Sequence, residues 1–172
     1  MVHFVGAGPG APDLITRRGA AFLQAADCII YAGSLVNPAL LGLAKQGCVI
    51  YNSAEMTLEQ VLDVMRRMEA AGKTTVRLHT GDPCLYGAIR EQMDALDADG
   101  IPYDDTPGVS SFCGAAAALG ISLCENDQQL HIIPGTYTPT QALRLPGVKV
   151  MMKNNLPATL EALRQMGASA AM

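Results

Sequence analysis

The stretch with the clearest capacity for chemistry is residues 78–87 (LHTGDPCLYG), where a strand pattern stops abruptly at Gly81-Asp82-Pro83. Residues 74–78 (TTVRL) form a short β-branched run, which is typical of a buried strand, and a helical pattern follows Gly87. In an open α/β sheet, ligands bind outside the carboxyl ends of strands. Glycine lets a ligand approach the backbone, and Asp82 offers acceptors for hydroxyl or amino groups. The alternative is an ordinary turn in which Asp82 caps the helix.

A second glycine-rich exit lies near the start of the chain, where residues 2–5 form a short strand pattern that ends in residues 6–10 (GAGPG). This start resembles a dinucleotide-binding loop, but the spacing is G-x-G-P-G and Pro9 lacks an N–H that a phosphate would need. The next strand, residues 27–31, is not followed by the acidic residue that holds a ribose. A nucleotide-binding oxidoreductase that uses a nicotinamide cofactor is therefore disfavoured.

A third exit follows residues 101–105 and contains Ser110 and Ser111 ahead of an alanine-rich helix over residues 113–119. Either serine could cap that helix, or their backbone could contact a ligand. Glycine-rich exits from apolar strands that alternate with helices predict an α/β domain with a mostly parallel sheet. The exits are expected to converge on one edge and form a cleft.

The remaining elements follow from periodicity and capping signals. A short helix is predicted over residues 37–44, a strand over 48–51, and a helix from the Thr57/Gln60 capping box to Gly72. After residue 127 we predict a strand over 129–133, a loop or short helix over 134–146, a strand over 148–152 and a helix over 156–166. We therefore expect an N-terminal α/β domain over residues 1–122 and a partial C-terminal α/β domain over residues 123–172.

Composition restricts the partners. Of 172 residues, 49% are apolar and 16% charged, which excludes disorder, and the formal net charge is −4 without a basic cluster. We expect no nucleic-acid partner and no membrane partner. No transmembrane run or secretory signal is recognisable, which predicts a cytoplasmic protein. The cysteines form no C-x-x-C pair, so neither a disulfide framework nor a metal site is predicted; they are Cys28, Cys48, Cys84, Cys113 and Cys124. Cys84 lies in the loop and is a possible nucleophile, although no histidine is placed beside it by sequence.

Five motifs together resemble the tetrapyrrole methylase family. They are GAGPGAPDL (6–14), YAGSLV (31–36), RLHTGDP (77–83), YGAIREQ (86–92) and PGVSSF (107–112). The resemblance implies a transferase of corrin metabolism that uses S-adenosylmethionine and releases S-adenosylhomocysteine. It also implies a homodimer of subunits with two α/β domains, the cofactor lying in the cleft between the domains.

The same resemblance assigns expected roles to single residues. Those expected at the cofactor are Pro9, Thr80, Gly81, Asp82, Leu85, Ser110, Ser111 and, packing against adenine, Met152. Those expected at the tetrapyrrole substrate are Gly8, Ser34 and Arg90, the last pairing with a carboxylate or simply lying on a helix surface. The candidate bases are His79, Asp82 and Tyr86, and His79 has the alternative of a structural hydrogen bond.

The activity implied is methyl transfer to a ring carbon of a precorrin in cobalamin biosynthesis. Residues 2–120 resemble the members that act on carbon 11 of precorrin-4, whereas residues 121–127 and 131–137 resemble those that act on carbon 20 of precorrin-2. The chain is also shorter than typical members. The alternatives are therefore carbon-20 methylation, or a truncated module that binds cofactor or tetrapyrrole without turnover.

Overall fold

A computed structural model of the protein describes residues 1–167, apart from the side chain of Ser34. The chain divides into two compact units, Met1–Ala115 and Ala116–Met172. This division falls inside a helix, ahead of the boundary expected at residues 122/123. Compactness does not test independent folding, so the division into domains at 122/123 stays a prediction.

The first unit alternates strands and helices along the chain. Its strands are β1 (Val2–Gly6), β2 (Cys28–Tyr31), β3 (Val49–Asn52), β4 (Thr75–His79) and β5 (Tyr103–Thr106). Its α-helices are α1 (Arg17–Ala25), α2 (Leu58–Ala70), α3 (Arg90–Asp99) and the start of α4 (Ser111–Leu119).

All the pairings in this sheet are parallel, and the strand order is β3-β2-β4-β1-β5. The central strands β1 and β4 are buried along their whole length, as expected of apolar strands covered on both faces. Because the strands are parallel, their carboxyl ends lie at one edge. The predicted α/β class with a mostly parallel sheet is confirmed.

Apolar side chains cover both faces of the sheet and form two cores. One core joins Phe4 and Ile30 to Met65 of α2 and Leu96 of α3, and the other is built around Val5, Ile29, Leu40 and Leu78. Side chains of a strand alternate between faces, so neighbours such as Phe4 and Val5 belong to different cores. Each fully buried Leu or Ile contributes about 1.5–3 kcal/mol relative to exposure.

The helix predicted from residue 57 to Gly72 is present, whereas the helix predicted over residues 37–44 is not α-helical. Thr57 and Gln60 form the predicted capping box at the start of α2. The predicted helix over 37–44 is instead the 3-10 segment Pro38–Leu43, with Asn37 as its N-cap. The glycine at position 42 disfavours α-helical propagation, whereas Pro38 stands in the first turn, where proline is tolerated.

The second unit contains a parallel pair of strands, β6 (Leu130–Ile133) and β7 (Val148–Met151). They are connected through α5 (Pro139–Leu143), and α6 (Leu156–Met166) follows β7. This strand–helix alternation matches the sequence prediction for the region.

Candidate functional site

The loops that follow β1 and β4 are joined by backbone hydrogen bonds at the carboxyl edge of the sheet. The Gly8 N–H donates to the Gly81 carbonyl at 3.2 Å, and the Gly81 N–H donates to the Gly8 carbonyl at 2.9 Å. Gly8 is buried and both of its backbone groups are used within the protein. Its role as a substrate contact stays a prediction.

The loop after β5 packs equally closely on these two loops. A Cβ on Gly108 would lie 2.0 Å from the Gly81 carbonyl oxygen, and a Cβ on Gly6 would lie 2.5 Å from the same atom. Neither position has room for a side chain. Glycine is required here because three loop backbones meet, which is a different reason from the ligand approach expected from the sequence.

Asp82 ties two of these loops together. Its Oδ1 accepts a hydrogen bond from the Cys84 N–H at 2.9 Å, and its Oδ2 accepts one from the Gly108 N–H at 3.3 Å. The alternative in which Asp82 caps the following helix is wrong, because α3 begins at Arg90 with Ile89 as its N-cap. The carboxylate thus positions the loops, and its remaining lone pairs can accept from a ligand.

Cys84 is exposed, and its thiol donates to Asp105 Oδ2 at a distance of 3.1 Å. The pKa of Cys84 is raised to about 11, mainly by this hydrogen bond and secondarily by burial. Burial also raises the pKa of Asp105 above its ordinary value. Because only the thiolate is a strong nucleophile, the geometry opposes the nucleophile hypothesis for Cys84.

His79 is 5% exposed and its ring stacks on Phe4, with centroids 6.2 Å apart. Burial, and secondarily the charge of Arg77, lowers the pKa of His79 to about 3. Its Nε2 is buried and has no hydrogen-bond partner among the described residues. An imidazole with such a low pKa is a poor base at neutral pH, and the structural hydrogen bond proposed as its alternative role is not found at Nε2 among the described residues.

Ser110 and Ser111 take different positions at the start of α4. Ser110 is buried and its carbonyl accepts from the N–H groups of Cys113 and Gly114, whereas Ser111 is exposed. A Cβ on Gly114 would lie 2.5 Å from Pro9 Cβ, so Pro9 lies directly against this helix. The structure therefore brings Pro9 and the serines to the same place as the other loops.

The other predicted residues of the 80–90 segment differ in exposure. Thr80 and Leu85 are half-buried, and Tyr86 is 48% exposed with a backbone φ of 58°. Arg90 Nη2 forms an ion pair with Asp94 at 2.7 Å on the exposed face of α3. This pair favours the helix-surface interpretation of Arg90.

The roles of Met152 at the cofactor and of Ser34 at the substrate stay predictions. Met152 belongs to the second unit, where its N–H donates to the Ile133 carbonyl at 2.8 Å. Ser34 lies in the 3-10 segment Gly33–Leu35, and its side chain lies outside the described part of the structure.

The polar groups at the loops suit a ligand with hydroxyl, amino and apolar parts. Thr80, Asp82 and Ser111 supply hydroxyl and carboxylate oxygens, while Pro9 and Leu85 supply apolar surface. These oxygens and apolar surfaces fit the cofactor that the family resemblance implies. Separately, no group of three or more potential ligand side chains among residues 1–167 could hold a metal ion.

Arg77 and Gln92, which were not among the predicted site residues, hydrogen-bond to each other in the interior. The available signal was a charged residue in the middle of an otherwise apolar central strand, TVRLH. Buried arginines are rare unless they have partners, so such a residue merits attention.

The whole chain has recognisable relatives. The model of the family described as Tetrapyrrole (Corrin/Porphyrin) Methylases matches residues 1–171. The cobalt-precorrin-4 C(11)-methyltransferase of Methanocaldococcus jannaschii is 54% identical over 122 residues, which cover 71% of this chain and 47% of that relative. The chain spans about half the length of the curated relatives that it matches at 45% identity or more.

Solved structures of methyltransferases are also similar to this chain. The X-ray structure of a cobalamin biosynthetic enzyme, cobalt precorrin-4 methyltransferase CbiF, superimposes with a TM-score of 0.89 at 33% identity, covering 98% of this chain and 75% of that one. Uroporphyrin-III C-methyl transferase from Thermus thermophilus, complexed with S-adenosyl homocysteine, gives a TM-score of 0.66 at 28% identity, covering 79% and 59% respectively. Within residues 1–167, no helix is both long and apolar enough to span a bilayer.

Proposed function

Because the chain belongs to the tetrapyrrole methylase family, we propose that it acts in S-adenosylmethionine-dependent methylation of carbon 11 of precorrin-4 or its cobalt form. The observation that carries the proposal is the junction of the loops after β1, β4 and β5 at one sheet edge, built on glycines that admit no side chain. That edge is where open α/β sheets bind ligands.

The cofactor would be held by residues whose side chains remain accessible around this junction. The hydroxyls of Thr80 and Ser111 and the spare lone pairs of Asp82 can hydrogen-bond its polar groups, and Pro9 and Leu85 can pack on its apolar parts. A solved relative in complex with S-adenosyl homocysteine supports this choice of cofactor.

Bound S-adenosylmethionine supplies a methyl group on a sulfonium, which is already a good electrophile. The protein then has to align the reactants and exclude water, and it needs no covalent nucleophile. Cys84 remains a protonated thiol and His79 a neutral, buried imidazole at pH 7. Asp82 and Tyr86 stay candidate bases, and the loops contribute mainly by positioning.

Carbon 11 is favoured over carbon 20 because several relatives at 45–54% identity carry the carbon-11 activity in their names. The homodimer remains part of this proposal, and light scattering on the purified chain tests it. A cytoplasmic location also remains part of it, consistent with cysteines that are free thiols in the described structure.

The first experiment is calorimetric titration of the chain with S-adenosylhomocysteine. We expect micromolar binding, weakened about tenfold by Asp82→Ala because the hydrogen bond to the Gly108 N–H is lost. Asp94→Ala is the matched control, since Asp94 is exposed and pairs only with Arg90 in the described contacts. Absence of binding would overturn the proposal.

The second experiment is incubation with S-adenosylmethionine and precorrin-4, followed by mass spectrometry and NMR of the product. We expect one added methyl group on carbon 11. Binding without any methyl transfer would instead support the alternative of a module that binds cofactor or tetrapyrrole without turnover.

A further inference from the structure

Arg77 is a buried cation whose protein partners are all neutral. Arg77 is 7% exposed. Nε donates to Gln92 Oε1 at 3.1 Å, and Nη1 donates to the Ile30 carbonyl at 3.1 Å. None of the ion pairs among the described residues includes Arg77.

An unpaired charge in this position is unfavourable. Burial lowers the pKa of Arg77 to about 10, so the guanidinium is still charged at neutral pH. A buried cation is normally stabilised by a carboxylate or another anion. The carbonyl and amide oxygens that contact Arg77 supply only part of that stabilisation.

Arg77 also lines a cavity of about 140 Å³ on the α2 and α3 face of the sheet. Gln92, Ser53 and the first residues of α2, Thr57 and Leu58, contribute to its wall. The described lining contains no acidic side chain, and Arg77 is its one charged member.

We propose that this cavity binds a carboxylate group, which pairs with the guanidinium of Arg77. A volume of 140 Å³ is several times the roughly 30 Å³ that a water molecule occupies, enough for a carboxylate and one or two carbons. The planar guanidinium fork matches the geometry of a carboxylate. The residues involved are distinct from the loop residues assigned to the cofactor, so the proposal does not depend on the proposed function.

The test compares thermal unfolding in sodium acetate and in sodium chloride at equal ionic strength, without cofactor or tetrapyrrole. At acetate concentrations about ten times its Kd, we expect the Tm to rise by about 3 °C more than in chloride. Gln92→Glu places a carboxylate beside Arg77 and gives up the hydrogen bond that Gln92 Nε2 donates to the Ala88 carbonyl at 3.0 Å, and this variant should lose the acetate effect.

Arg77→Met should also lose the acetate effect, and Arg66→Met should keep it, because Arg66 is exposed and already pairs with Asp99. If Arg77→Met does not fold, Gln92→Glu still decides the question. Equal Tm values for the wild-type chain in acetate and chloride would overturn the proposal. So would an acetate effect that Gln92→Glu leaves intact.

Titration with S-adenosylhomocysteine in acetate then distinguishes the sources of the carboxylate. Competition between the two would assign the site to the carboxylate of the cofactor. Independent binding would assign it to another molecule, such as a carboxylate arm of the tetrapyrrole. If the chain does not bind S-adenosylhomocysteine, the proposed function fails while the acetate measurement still stands.

Discussion

Lowering the pH from 7 to 5 should destabilise the fold through His79. Its pKa is about 3 in the folded protein and about 6.5 in an unfolded chain, so the unfolded state binds more protons between these values. His79 therefore contributes full stability above pH 6.5, and that contribution is lost progressively as the pH falls towards 3. Each pH unit in this window is worth about 1.4 kcal/mol, which gives about 2 kcal/mol at pH 5.

The assay is urea unfolding of the wild-type chain and of His79→Leu at pH 7 and pH 5. The variant removes the titrating group and its unpartnered Nε2. Between pH 7 and pH 5, the free energy of unfolding of His79→Leu should therefore fall by about 2 kcal/mol less than that of the wild type. His131→Leu is the matched control for histidine removal in the second unit. Equal losses for the wild type and His79→Leu between the two pH values would refute the reasoning.

Three further predictions concern other contacts. Gly108→Ala should lower the free energy of unfolding by about 2–4 kcal/mol, measured in urea, because its Cβ would lie 2.0 Å from a carbonyl oxygen. Gly42→Ala is its control, since a Cβ there meets nothing within 4 Å. Asp105→Asn should accelerate maleimide labelling of Cys84 at pH 8 by about tenfold, because the carboxylate holds the thiol protonated. Thr57→Ala should cost about 1 kcal/mol in thermal unfolding, because the capping box of α2 is lost.

Each of these three predictions has a result that would contradict it. Gly108→Ala as stable as Gly42→Ala would mean that the loops separate without cost. An unchanged labelling rate would show that the bond between Cys84 and Asp105 does not control the thiol. A stable Thr57→Ala would mean that tertiary packing alone defines the start of α2.

Local patterns made much of the fold predictable. Strands β1, β2 and β4 are rich in apolar and β-branched residues, and α2 begins with a capping box. A short stretch of sequence was therefore enough to predict each of them. The position of the site followed from strand exits, because the carboxyl ends of parallel strands share an edge.

The features that the sequence did not predict depend on contacts between residues that are far apart in the chain. The contact between Gly6, Gly81 and Gly108 depends on the pairing of β1 with both β4 and β5, which no short pattern specifies. The same holds for Arg77, whose burial follows from the strands beside it and the helices above it. For Asp82, turn chemistry was recognised, but its second partner lies in another loop.

The strand order has a consequence for folding. During synthesis the apolar strand β1 emerges first, yet both of its neighbours, β4 and β5, are made much later. Until Thr75–His79 is available, β1 exposes apolar surface and unpaired backbone, a condition that slows folding and promotes aggregation. The loops of the candidate site join only when β5 docks. We therefore expect the ability to bind a ligand to arise in the last step of sheet assembly.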